Sequence, residues 1–287
     1  MRLCNVTGFS YMSVMTQPPR LTDRAALTRN RLRADAMFLQ AAAADDVHER
    51  LIEVNRTFTA PVVVTGFPDA WSEWMPSATV IQDDETLDLE EGAHDLVIHA
   101  LSLHWADDPI GQLVQCRRAL KPDGILIATS FAGQTLHELR SVLAEAEVAQ
   151  TGGLSPRILP MGEIRDLGGL LQRAGFALPV ADTTPLTVTY DTPIHLMRDL
   201  RAMGEGNAMD QRQRAPTRRK IFAQAMQRYV ETFAMDDGRV PATFEIATLT
   251  GWAPSETQQK PLRPGSATTR LADALGTKET PLNGSKD

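Results

Sequence analysis

Two hydrophobic periods organise this chain. Mostly apolar runs at 61–64 (PVVV), 95–101 (DLVIHAL) and 124–131 (GILIATSF) have the character of strands covered on both faces. Elsewhere apolar positions recur at helical spacing. Leu27, Leu32, Ala36 and Leu39 form one loose stripe, and Val47, Leu51, Ile52 and Val54 a second, predicting two amphipathic helices across 22–58. A strand follows at 60–68, ending in a turn at Gly66, then a short helix around 69–75, a strand at 79–82 and an acidic loop at 83–91.

The stretch 92–131 reads as strand, loop, helix, turn and strand. After Pro109 the positions Ile110, Leu113, Val114 and Leu120 keep helical spacing, and LKPDG is a turn feeding the next strand. Two buried strands bridged by one helix belong in a parallel sheet, whose ligands bind at the strand carboxyl ends. The loop Ser102-Leu103-His104-Trp105-Ala106-Asp107-Asp108 lies at such an end. His104 is a candidate base, and Trp105 a surface for a flat or cationic group. The alternative is structural, with Trp105 plugging the sheet end and His104 capping the following helix.

Downstream, 193–204 and 217–234 read as helices. Phe222, Ala225, Met226, Tyr229, Val230 and Phe233 share a face of the second, so Met226, Val230 and Phe233 are expected to face the domain and Arg218, Arg219 and Gln227 the solvent. The run 240–252 predicts a long final strand.

Several of these segments resemble the class I S-adenosylmethionine-dependent methyltransferases. The KPDG turn before a strand is one, and SLHW with its acidic pair is another. GQTLHELR at 133–140, GGLSP at 152–156, DLGGLLQRAGF at 166–176, MGEGN at 203–207 and RPGSA at 263–267 match, in order, the subfamily of the biotin-pathway malonyl-carrier methyltransferase and a mitochondrial complex I assembly factor described as an arginine hydroxylase. The resemblance implies a Rossmann-like α/β domain with a small helical cap, S-adenosylmethionine as cofactor, and a protein or carrier-protein substrate. It places cofactor contacts at Gly66, Asp83, Leu101 and Ser102, substrate contacts at Trp105, Glu205 and Asn207, and catalytic candidates at His104 and Trp105.

Two features depart from the family pattern. Where relatives carry G-x-G-x-G, this chain has Gly66 alone, followed by Phe67 and by Pro68, which has no N–H to donate. About 33 residues separate Val62 from Asp95, whereas one crossover takes about 30. The N-terminal half of the sheet is therefore expected to be reduced, to fewer than seven strands, with the loss between Gly66 and Asp83. Asp83 is matched to the acidic position after the third strand, near the adenine amino group. Binding of S-adenosylmethionine is expected to be weak, with a dissociation constant above about 1 mM. An enzyme of this family and a non-catalytic assembly protein that has lost the cofactor pocket are the two functions to be separated.

Composition narrows the setting. A net charge of −7 and a pI near 5.4 argue against a general nucleic-acid or anionic-membrane binder. The Arg-rich run Arg20, Arg24, Arg29, Arg31, Arg33 is expected to be a solvated face, the alternative being contact with an acidic partner. Cys4 and Cys116 form no disulfide framework and fit a reducing compartment, so a cytoplasmic protein is expected. No apolar run approaches the roughly 20 residues of a membrane span, and the six histidines show no metal-ligand spacing. The expected partition is a disordered leader over 1–20, helices over 21–59, the Rossmann-like domain over 60–184, a helical cap over 185–236, strands completing the sheet over 237–276 and a disordered tail over 277–287.

Overall fold

The computed structural model describes residues 20–258 and 269–278. The leader expected over 1–20, apart from Arg20, and the tail beyond Lys278 lie outside the described residues, as does Cys4. The chain forms two compact units, Met1–Pro254 and Ser255–Asp287. Within the first, the elements run α1 (Arg24–Arg31), α2 (Phe38–Val54), β1 (Pro61–Thr65), α3 (Pro68–Trp74), β2 (Thr79–Gln82), β3 (His94–Ala100), α4 (Pro109–Ala119), β4 (Leu120–Phe131), α5 (His137–Thr151), α6 (Ile164–Ala174), β5 (Ala177–Tyr190), α7 (Pro193–Ala202), α8 (Arg219–Phe233) and β6 (Val240–Trp252). A short helix, Leu271–Ala274, is the element described in the second unit.

The described strands make one six-stranded sheet in the order β2-β1-β3-β4-β6-β5. The first four are parallel, while β6 runs antiparallel to both β4 and β5. Strand residues alternate between faces. Val63, Ile98 and Ile127 therefore meet α2, α3, α5 and α8 on one side, and Val62, Val64, Val97 and Leu126 meet α4 and α6 on the other. Covering both faces reduces the need for polar positions, which is why these strands read as mostly apolar runs.

The reduced sheet is present, but the missing strand is not where the spacing suggested. β2 lies directly beside β1, Val63 against Val80, so Thr79–Gln82 is the second strand and α3 its crossover. α3 has 7 residues, which rise about 10 Å and suffice to return the chain along strands this short. The loss falls after Asp83, where residues 83–93 form no strand.

On the far side of the sheet β6 is an inner strand and the edge is β5, which the sequence did not reveal. β5 mixes half-buried and exposed positions and carries Pro179 and Pro185, features that an edge tolerates and that hide a strand from periodicity. Because β5 continues to Tyr190, the boundary expected at residue 184 cuts a strand, and the cap helices begin at Pro193. Among the described residues one strand, β6, completes the sheet after the cap.

In α8 the buried stripe is Ile221, Ala225 and Tyr229, rotated from the one expected. Met226 and Phe233 are half-buried against the core, whereas Val230 is 45% exposed. Arg218, Arg219 and Gln227 face outward as expected. The rotation is set by Tyr229, whose hydroxyl donates to Pro241 O at 2.7 Å. Tyr229→Phe should lower stability by about 1 kcal/mol in urea titration. Val230→Ala should stay within about 0.5 kcal/mol of the parent.

Candidate functional site

The chain turns sharply where β3 ends. Leu101 takes φ 39°, and its N–H donates to Thr129 Oγ1 on β4 at 2.8 Å, which holds the strained residue in place. Ser102 opens a 3-10 turn, Leu103–Trp105, and accepts the Trp105 N–H through its carbonyl. Asp108 then caps α4 by accepting from Gly111 N. His104 is thus not the cap of that helix. Its ring is buried, packed on Phe131 at 4.8 Å between centroids.

Across this turn lies the cap. α7 ends in Gly204, at φ 78°, and the N–H of Glu205 returns to Leu200 O at 3.0 Å. That geometry aims the Glu205 side chain at the turn. Its Oε2 accepts from Trp105 Nε1 at 2.9 Å and lies 3.5 Å from His104 Nε2. Its Oε1 is buried with no hydrogen-bond partner among the described residues, and neither nitrogen of His104 is hydrogen-bonded there. A buried carboxylate oxygen without a donor is costly, so this oxygen is an acceptor awaiting one.

Glu205 and Trp105 line a cavity of about 440 Å³ beneath the cap. Its body is apolar, with Leu139, Leu143, Met161, Met197 and Phe244. Arg157 and Arg212 also line it, but each is paired, with Glu147 and Asp23 respectively. Hydrogen bonding from Arg157 holds Glu147 at a pKa of about 2, and Arg212 does the same for Asp23, also to about 2. Asn207, expected to touch substrate, lines the same cavity and also braces it, donating to Pro156 O at 2.9 Å and accepting from Met209 N. A smaller cavity of about 260 Å³ lies on the other side of His104, against Leu167 and Leu170.

The N-terminal segment ties these parts together. Asp107 Oδ1 accepts the N–H groups of Leu21 and Thr22, the Thr22 hydroxyl donates to Trp105 O at 2.7 Å, and Thr22 bridges Met209. Nothing in the sequence pattern marked Thr22 or Asn30, which donates to Gly206 O. Hydrogen bonds of this kind carry no periodicity.

The second candidate region lies at the ends of β1 and β2. Asp83 is buried and accepts both terminal nitrogens of Arg31, Nη1 at 2.7 Å and Nη2 at 2.9 Å. Arg24 approaches the same carboxylate at 3.6 Å and pairs with Glu85. Arg24 and Arg31 therefore do not belong to a solvated face, unlike Arg29 and Arg33. Helical phase held the clue, because Arg24 and Arg31 flank Leu27 at i−3 and i+4 and so share its buried face. The Arg31 guanidinium also lies 5.6 Å from the Phe67 ring centroid. A Cβ added at Gly66 would collide with it, so the bare face of Gly66 is already covered from within the chain. Asp83 ends the second strand rather than the third, so it does not stand at the position after the third strand to which it was matched.

Between the regions sits His99, fully buried, with Nε2 2.7 Å from Gln112 Oε1, while Gln112 Nε2 donates to Asp84 O. Burial lowers its pKa, which keeps it neutral. Cys116 is free and buried, its thiol pushed up to about 12, and is no nucleophile. Among the described residues no cluster could hold a metal ion, and no helix is long and apolar enough to cross a membrane.

Comparison with known proteins bears on both regions. The model of a methyltransferase domain family matches residues 34–128. Arginine-hydroxylase NDUFAF5, mitochondrial, from Danio rerio is 38% identical over 220 residues, 77% of this chain and 68% of the relative. Its Homo sapiens counterpart is also 38% identical, over 77% of this chain and 64% of its own. The malonyl-[acyl-carrier protein] O-methyltransferase of Xylella fastidiosa is 34% identical over 63% of this chain and 59% of its own. Among solved structures, a putative methyltransferase from Bacillus halodurans covers 72% of this chain and 98% of its own, at 15% identity and a TM-score of 0.47. The expected cytoplasmic location is overturned, since the relatives from zebrafish, rat and human are mitochondrial by name and point to mitochondria instead.

S-adenosylmethionine is the cofactor expected from these comparisons and from the resemblance. The residues at the ends of β1 and β2 do not fit it as they stand. Arg31 covers Gly66 and uses both oxygens of Asp83, Phe67 N donates to Thr65 Oγ1, and Pro68 has no donor.

Proposed function

We propose, from the premise that this chain belongs to the class I S-adenosylmethionine-dependent methyltransferase family, that it acts on a protein partner in the assembly of respiratory complex I, taking a basic side chain of that partner into the cavity beneath the cap. The observation that carries this reading is Glu205 Oε1, an acceptor buried beside the indole of Trp105 with no donor among the described residues. A guanidinium supplies planar donors for a carboxylate and a flat face for an indole, and its aliphatic stem suits the apolar walls. The names of the more similar relatives support arginine chemistry on a protein over a carrier-bound acyl group.

In this site Trp105 Nε1 fixes one oxygen of Glu205 and leaves the other to the ligand. His104 Nε2 lies 3.5 Å from Oε2, beside the oxygen that Trp105 already holds. The arrangement of Arg31 favours a role without methyl transfer, because it occupies the cofactor side while the cap side stays open.

The test is a calorimetric titration of the protein with a short acetylated peptide holding one central arginine, and with its citrulline counterpart. The arginine peptide should bind at least tenfold more tightly, and Glu205→Gln should abolish that difference, a loss of about 1.4 kcal/mol or more. Equal affinity for the two peptides would remove the basic side chain from the reading.

A further inference from the structure

We propose that Arg31 is an internal occupant of the nucleoside end of this sheet, a side chain that takes the place of a diffusible ligand and keeps one from binding. Three observations place it there. The carboxyl ends of adjacent parallel strands are where ligands of open α/β sheets sit, and Asp83 and Gly66 stand at the ends of β2 and β1. Arg31 meets Asp83 with two parallel N–H donors, the pairing that a vicinal diol would otherwise make with the same carboxylate. It also lies over Gly66, in the space that the missing Cβ would otherwise leave to a ligand.

The occupant is held from three sides. Phe67 stacks beneath the guanidinium, α1 is anchored through Leu27, and Gly204 of the cap loop closes over both. A Cβ at Gly204 would lie 3.2 Å from Arg31 Cα and 3.3 Å from Phe67 Cζ, tight contacts that the glycine avoids. The cap loop bearing Glu205 thus rests on the helix that bears Arg31. What remains beside the guanidinium is a cavity of about 560 Å³, lined among others by Thr28, Gln82 and Asp84, a volume within the usual range for small-molecule sites. The space was not lost with the missing strand. Arg31 forms part of its wall, against Gly66 and Asp83.

The inference is independent of the basic-side-chain cavity, which lies on the other side of Glu205. Arg31→Ala tests it, and the variant should fold because Arg24 remains within 3.6 Å of Asp83 to share its charge. Calorimetric titration with S-adenosylhomocysteine and with adenosine should give a dissociation constant at least tenfold lower for Arg31→Ala than for the parent, and 2′-deoxyadenosine should lose that gain. A folded variant, judged by circular dichroism, with no gain in affinity overturns the proposal. So does a parent protein that binds either ligand at micromolar levels. If Arg31→Ala fails to fold, Arg31→Gln with the same titrations takes its place, alongside phenylglyoxal labelling of the parent. Arg31 should label at least tenfold more slowly than exposed Arg33, and equal rates would show that the guanidinium is not held.

Discussion

Asp83→Ala is expected to lower stability by about 3–5 kcal/mol, read as a fall in the urea midpoint at unchanged slope. The side chains of Asp83 and Arg31 are only 5% and 8% exposed. Removing the carboxylate leaves a guanidinium enclosed by Phe67 and the Gly204 loop, with its Nε already lacking a partner among the described residues. A charge in that position cannot recover its lost hydration, which is why breaking such a pair costs far more than the pair contributes. Asp83→Asn, which keeps the shape and one acceptor, should cost less. A loss below about 1 kcal/mol for the alanine variant would be the behaviour of a solvated pair, and would argue that α1 swings freely.

Trp71→Ala should cost a similar amount, about 3–5 kcal/mol, by another route. Trp71 is fully buried on α3, stacks edge-on against Trp74 at 5.6 Å, and donates from Nε1 to Gln40 Oε1 at 3.0 Å. Its loss opens a cavity between α2 and α3 and strands a buried amide. Trp71→Phe separates the two effects, since it retains most of the volume and should cost only the unpaired Gln40, about 1–3 kcal/mol. If the phenylalanine variant is as stable as the parent, the hydrogen bond to Gln40 contributes nothing. α3 carries the crossover from β1 to β2, so the alanine variant should also loosen Gly66 and Phe67 and with them the seat of Arg31.

The cap side of the site was partly legible in the chain. Trp105 and Glu205 were singled out and meet across 2.9 Å, His104 joins them, and Asn207 turned out to brace the GGLSP loop. The cofactor side was legible as a deficit, a lone glycine and a proline, but its occupant was not. Arg31 sat in a run of arginines that charge counting assigns to solvent, and only the phase of Leu27 on α1 distinguishes it from Arg33.

By itself the sequence determined the alternation of strands and helices from β1 to β4, because burial on both faces of a parallel sheet leaves mostly apolar runs between amphipathic helices. It also determined, through ordered motifs, the family and the loop at which to look. Tertiary structure alone decided which strand is missing, because pairing is a choice among neighbours and β2 could take the place beside β1 without any local signal. It decided that β5 is the edge and β6 lies within, since an edge strand relaxes the pattern that would announce it. It turned α8 so that Tyr229 faces inward and Val230 outward, a matter of one hydroxyl finding Pro241 O. And it brought Arg31 to Asp83, 52 positions away, where two charges that look ordinary in sequence become a buried pair.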